Sequence, residues 1–386
     1  MDVTTQEIIS PEADASLLDN IKKALPILSD MSRSDLLLYV PVGPNAAVIS
    51  EQARPHSIFP VYEEDLVGKG VEPHEAPWVF RTLSSGKLRR GTLPGTVRDA
   101  QIVREVLPVF GVGRRAIAAL SIETNLLAHE RHRRRSLAFR KPLARLQEMV
   151  LRGELVGAEA LSPFGEHDGI VVVDLQRQIL YVSGIATNLL RRIGYMDKVV
   201  GQSVYTLETA DAELVDEALN VGRCIERETK EHGRIWIRKA IPLYVPRSWR
   251  SLFTRAGELP SPAGSIPHGV ILSVHDATEA RDKERELKAK LAMIQEIHHR
   301  VKNNLQSIIS LLRLQARRTD SQEVKQTLAE TVNRILSVAV VHEFLSYNSA
   351  GIINLRDIAQ RIASQMSESV VEPGKSIRFL LTNQWK

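Results

Sequence analysis

Apolar positions in the C-terminal third of the chain recur at alternating four- and three-residue intervals. They are Leu287, Leu291, Ile294, His298, Val301, Leu305, Ile308, Leu312 and Gln315, a seam with two polar interruptions. That spacing predicts one uninterrupted helix from about Glu279 to Arg318, packed side by side with other helices. The run RRTDSQEV then breaks the pattern, with Thr319 or Ser321 placed to cap a second helix. On that second helix Val324, Leu328, Thr331, Ile335, Val338, His342 and Leu345 repeat the same spacing. Two such hairpins make a four-helix bundle.

Upstream the period shortens to that of strands. DGIVVVDLQRQILYVSG gives two strands around a polar turn, and IATNLLRRIGY a helix. GQSVYTLE is a turn into another helix, and GRIWIRKAIPLYV and HGVILSVHDAT supply later strands. Pro246 to Pro267 holds four prolines and reads as a long loop between two of them. Still earlier, ASLLDNIKKALPILSDM is helical, and DLLLYVPV and AAVISEQARP are strands about a Gly-Pro-Asn turn. VREVLPVF and RRAIAALSIET form a second hairpin, closed by a helix in RRRSLAFRKPLARLQEMVLRG. Helices flanking antiparallel strands predict an α+β multidomain chain: two α+β modules followed by a helical hairpin.

Composition narrows the function classes. The 386 residues are 43% hydrophobic and 25% charged, which suits a protein of several domains. No apolar run approaches the roughly 18 residues of a membrane span, and the acidic start MDVTTQEIISPEADAS is not a signal peptide. The lone Cys224 excludes an internal disulfide framework and points to a reducing, cytoplasmic setting. A net charge of +5 does not argue for nucleic acid. The basic run from His129 to Lys141 has only Phe139 to stack a base and reads as a solvated helix face.

The chemistry concentrates in EIHHRVKNNLQ, residues 296–306. His298 falls on the seam, so His299 is turned roughly 100° from it. A neutral imidazole is nucleophilic near physiological pH. Attack on a γ-phosphoryl group leaves one ring nitrogen free and the other held as a donor. Glu296, three residues earlier on the same face, is the candidate to hold that ring. Arg300 and Lys302 are candidate phosphate contacts, and Asn303, one turn on, is placed to position a water or phosphoryl oxygen. By composition alone a histidine pair on an amphipathic helix is more often structural or solvated. A zinc site is not expected, because adjacent helical histidines diverge and no further ligands have the right spacing.

The run EIHHRVKNNLQSIISLLRLQARR, followed by RILSVAVVHEFLS, resembles the dimerisation and phosphoacceptor domain of sensor histidine kinases. The motif is similar to the H-R-x-K-N class, close to the H-W-E kinases, where the histidine before Arg accepts the phosphoryl group. The resemblance therefore implies His299 as acceptor; the commoner kinase class carries an acid where Arg300 stands. The first segment, by its position, resembles the GAF domain of PdtaS-type sensor kinases. The second resembles a PAS domain, with Asp276 and Thr278 matching its D-x-T exit. The implied organisation is a tail at 1–14, a GAF-like domain at 15–155 and a PAS-like domain at 160–278. A dimerisation and phosphoacceptor domain at 279–348 and the start of a truncated ATP-binding domain at 349–386 complete it. The resemblance implies a cytoplasmic homodimer that autophosphorylates with ATP and Mg and relays the phosphoryl group to a response-regulator aspartate. It also implies a small-molecule signal of unknown identity. Flavin is not expected at Cys224, and His167, His232 and His275 read as surface or core residues rather than haem ligands. Two alternatives stay open: a non-catalytic dimeric signalling scaffold or phosphotransfer protein, and a transcription regulator, disfavoured by the lack of a helix-turn-helix pattern.

Overall fold

The computed structural model describes residues 11–93, 101–111, 115–126, 129–130, 136–246 and 265–347. The expectations for the prolines between 247 and 264, most of the basic run, and residues 349–386 lie outside them. The chain divides into two compact units, Met1–Thr278 and Glu279–Lys386.

The first unit opens with α1 (Pro11–Ser32), β1 (Asp35–Gly43), β2 (Ala46–Ala53) and β3 (Gly70–Val71). α2 (Pro77–Ser85), β4 (Arg89–Leu93), β5 (Ile102–Phe110) and β6 (Ala116–Asn125) follow. Their strands form a six-stranded antiparallel sheet in the order β3-β2-β1-β6-β5-β4. The two-residue period of β1 sorts its side chains: Leu36 and Leu38 join the core shared with α1, while Leu37 and Tyr39 join the core beneath α2.

A second set comprises α3 (Leu137–Leu151), β7 (Gly169–Asp174), β8 (Ile179–Val182) and α4 (Gly184–Arg192), then α5 (Asp211–Val221), β9 (Ile225–Glu231), β10 (Arg234–Pro246) and β11 (Ser265–Asp276). Its sheet runs β8-β7-β11-β10-β9. α4 sits close because β7 begins with glycine: a Cβ at Gly169 would meet the Ala186 backbone at 2.7 Å. Ser183 caps α4, its hydroxyl accepting from Ala186 N, and the same oxygen accepts from Ile170 N on β7 at 2.9 Å.

α1 and α3 lie between the two sheets. Leu25, Leu28 and Met31 of α1, Phe139, Leu146 and Val150 of α3, and Ile241, Leu243 and Ile271 of the second sheet belong to one continuous core. The Phe139 ring lies 5.2 Å from that of Tyr181. Tyr244 N donates to Met149 Sδ at 3.2 Å. The far face of the second sheet has its own core, with Val171, Val173, Val270 and Leu272 against Leu214, Val215 and Leu219 of α5.

The second unit consists of α6 (Thr278–Arg318), whose first residue closes the first unit, and α7 (Gln322–Tyr347). α6 is unbroken for 41 residues. Ser321 caps α7, its hydroxyl accepting from Val324 N at 3.5 Å and its carbonyl from Lys325 N at 3.1 Å. Among the described residues of this unit, Ile309 and Val332 are the buried apolar pair. They lie at nearly equal sequence distances from the turn between the two helices. Heptad counting places Ile308 on the inner seam, yet Ile308 is 44% exposed and the buried residue is its neighbour Ile309. The seam read from sequence merges two apolar faces that the helix keeps apart.

Candidate functional site

The N-terminal half of α6 carries a ladder of ion pairs along its own surface. Lys283 pairs with Glu279, Lys288 with Glu284 and Lys290 with Glu286, each one turn apart at 2.5–2.7 Å. Arg281–Glu284 and Arg285–Asp282 add i,i+3 contacts. Such pairs give an exposed helix modest local support.

The helix enters the histidine motif unbroken, so angular positions follow from roughly 100° per residue. Measured from buried Ile309, His298 is turned by only about 20°, and so is Lys302; both are half-buried. The two turn in opposite senses, and Leu305, also half-buried, lies about 40° away on the His298 side. Further round that side, by roughly 60–120°, runs a strip containing Ile294, Ile297 and Ile308, each 44–49% exposed. His299 is turned about 80° the opposite way and is exposed. It therefore stands roughly 180° from Ile308, on a face that neither the hairpin nor the apolar strip occupies. Asn303 and Glu296 are exposed within about 40–60° of it.

Glu296 holds Arg300 through Nε–H at 2.8 Å. The carboxylate expected to orient the His299 ring is thus engaged with the cation expected to meet phosphate. The Asn303 carbonyl accepts from Ser307 Oγ at 3.0 Å. The candidate is a histidine made accessible by geometry.

At the root of α6, Asp276 ties the last strand to the helix. Its Oδ1 accepts from Thr278 Oγ1 at 2.5 Å and from Thr278 N at 3.2 Å, and its Oδ2 from Arg234 at 2.6 Å. Burial alone would raise this carboxyl, but the Thr278 and Arg234 bonds hold it below the usual range. Thr278 Oγ1 in turn accepts from Ile235 N at 3.0 Å, and Ala277 N donates to Ile235 O at 2.9 Å.

Buried charge in the sheets has no counterpart among the residues singled out by motif. On the α2 side of the first sheet, Glu123 is fully buried and accepts from Tyr62 Oη at 2.6 Å, from Ser121 Oγ at 2.9 Å and from Arg104. Its cross-strand partner Asp35 accepts from Val61 N at 2.7 Å. Burial raises the Asp35 carboxyl to about 6, against the pull of the Val61 and Tyr62 amides. In the second sheet Arg238, 1% exposed, binds Asp211 at 2.7 Å and Glu231 at 2.8 Å. The only sequence signal for these groups is a charge inside a strand's apolar alternation. Cys224 is buried, its thiol pushed up to about 12, so it is an inert core residue. Phe139 also belongs to the core, away from any role in stacking bases.

Among the described residues, no group of His, Cys, Asp and Glu could hold a metal ion. No helix among them is long and apolar enough to cross a membrane.

Known proteins share these features. A family model described as the GAF domain of histidine kinase PdtaS matches residues 2–142, and one described as histidine kinase matches residues 296–370. Sensor histidine kinase PdtaS of Mycolicibacterium smegmatis is 28% identical over 374 residues, spanning 95% of this chain and 73% of that protein. Its namesake from Mycobacterium tuberculosis is 28% identical over 385 residues, with the same two coverages. A solved structure described as the sensor region of a sensor histidine kinase covers 71% of this chain and 95% of its own, with TM-score 0.50. At 22% identity that last likeness is one of fold.

Proposed function

This chain is a sensor histidine kinase of the PdtaS type, a protein-histidine kinase of a two-component system, and from that premise we propose that His299 is the residue it phosphorylates. The observation that carries the proposal is the position of His299, exposed on unbroken α6 and roughly opposite the exposed apolar strip. A second copy of the chain covers that strip in a homodimer, and His299 stays in water.

The kinase takes its phosphoryl group from ATP. One imidazole nitrogen of His299 attacks the γ-phosphorus, an N–P bond forms, the bond to the bridging oxygen breaks, and ADP leaves. Magnesium bound with the nucleotide offsets charge on the phosphates. Glu296, released from Arg300, receives the hydrogen bond from the second ring nitrogen and stabilises the imidazolium as it forms. Arg300 and Lys302 then face the incoming phosphates. Asn303 positions the water that hydrolyses a phosphoryl group in the reverse, phosphatase direction. The phosphohistidine passes its group to an aspartate of a response regulator.

The second sheet, with its D-x-T exit at Asp276 and Thr278, acts as a PAS-like sensor. The first responds to a small-molecule signal in the cytoplasm. Both act on the root of α6, and rotation of that helix governs access to His299.

The test uses the natural full-length kinase with γ-labelled ATP. Label should be lost in His299→Gln and kept in His298→Gln. The reverse pattern overturns the assignment. Absence of label from the unsubstituted protein would instead favour the non-catalytic scaffold.

A further inference from the structure

The two sensor sheets share more than apolar packing. Asp30, near the C-terminal end of α1, has a side chain only 1% exposed. Its Oδ1 accepts from His56 N at 2.7 Å and faces His56 Nδ1 at 3.0 Å. His56 lies in the segment between β2 and β3 that also supplies Val61 and Tyr62 to the buried Asp35 and Glu123. The other oxygen of Asp30 accepts from Phe164 N at 3.0 Å, 134 residues away in the connection to the second sheet. One buried carboxylate thus joins the cover of the first sheet to the entrance of the second.

From Phe164 the connection continues without a gap. The Lys239 ammonium stands 4.3 Å over the Phe164 ring, donates to Pro163 O at 2.7 Å and faces Asp168 Oδ2 at 3.5 Å. Lys239 and Asp168 side chains are 3% and 6% exposed. Asp168 Oδ1 lies 2.8 Å from Nδ1 of His275, on β11. His275 immediately precedes Asp276, Ala277 and Thr278, the residues that root α6. Burial would raise the Asp168 carboxyl, yet the His275 bond and the Lys239 charge keep it below the usual range. A buried charge keeps its position only while its partners keep theirs, because an unpaired one is costly. Displacement at either end is therefore transmitted, not absorbed.

We propose that Asp30, Phe164, Lys239, Asp168 and His275 form a clasp that couples the His56 segment on the first sheet to the first residues of α6. These are positioning residues: none contacts the phosphoryl chemistry, and the inference stands apart from the assignment of His299. The β9 residue Glu226 provides a matched control. It holds the same connection by accepting from Ser162 N at 2.7 Å and Ser162 Oγ at 2.8 Å, but is no member of the clasp.

The test is amide hydrogen exchange on the whole chain, read at Ala277 and Thr278. Asp30→Asn should speed exchange there by roughly two- to tenfold, as expected of a residue along a coupling route. Glu226→Gln should loosen the amide of Ser162 and leave Ala277 and Thr278 at the unsubstituted rate. His56→Ala removes a half-exposed ring, spares the fold, and should move Ala277 and Thr278 in the same direction as Asp30→Asn. The clasp is refuted if Asp30→Asn and His56→Ala leave those amides unchanged, or if Glu226→Gln speeds them equally. Should Asp30→Asn fail to fold, His56→Ala alone decides by the same criterion.

Discussion

The sensor unit and the helical unit use the same residue types in opposite ways. Up to Thr278 most of the described large apolar side chains are buried in cores that run between and beyond two sheets, with Phe59 and Met196 among the exposed exceptions, and charged groups such as Glu123, Arg238 and Lys239 are buried and paired. Beyond Glu279 the charges pair along the surface of α6, while Leu287, Leu291, Ile294, Ile297, Ile308 and Leu311 are all more than 40% exposed. One unit has cores that form within a single chain. The other leaves an apolar face exposed as its unfinished part, the feature from which the proposed self-association is argued.

Phe139→Ala tests the self-contained half with the largest expected effect. This α3 ring is fully buried and packs in the core that both sheets share. Its loss should cost about 3–5 kcal/mol. Both sheets should melt in one transition by calorimetry; separate transitions would show that the shared core does not couple them.

Asp35→Asn gives a smaller effect with a defined sign. The folded-state carboxyl is raised to about 6 from an ordinary value of 3.8. Its protonated form is therefore favoured by folding, a contribution fully present below the ordinary value and lost as pH rises through about 6. The shift corresponds to about 3 kcal/mol between those limits. Denaturant unfolding from pH 4 to pH 7 should show this slope flattened in the Asn variant. An unchanged slope would mean that the sheet tolerates the ionised group at no cost.

Ile308→Glu addresses the unfinished half. A charge placed on the apolar strip should weaken self-association of the natural protein by roughly 30-fold or more, while the isolated chain melts as before. Light scattering and calorimetry read the two parts. A strip that tolerates the charge without loss of association would be a solvated face.

Much of this organisation is legible in the sequence, and the failures have physical causes. Apolar runs such as GIVVVD at β7 and VILSV within β11 announce strands because they are covered on both faces. β9, IERETKE, escapes notice because it is a sheet edge whose residues are half-buried or exposed, so burial does not constrain their polarity. β3 and β4 are short edge strands, hidden for the same reason. The period of α6 is plain, but a heptad count cannot tell a face that is buried within the chain from one left exposed. Ile308 and Ile309 fall on different sides of that line. Of the candidate site, the exposure of His299 and the partial burial of His298 follow from the period, whereas the Glu296–Arg300 pairing does not. The buried Asp30, Asp168 and Lys239 depend on contacts between distant segments that no local pattern encodes.

The decisive measurement is the location of the phosphoryl group itself. Full-length kinase should be incubated with ATP, kept at alkaline pH to preserve phosphohistidine, digested, and sequenced by tandem mass spectrometry. Phosphate on the second imidazole of the pair, His299, is expected. Phosphate on His298, or on a residue outside α6, would contradict the reading of this helix face as the acceptor.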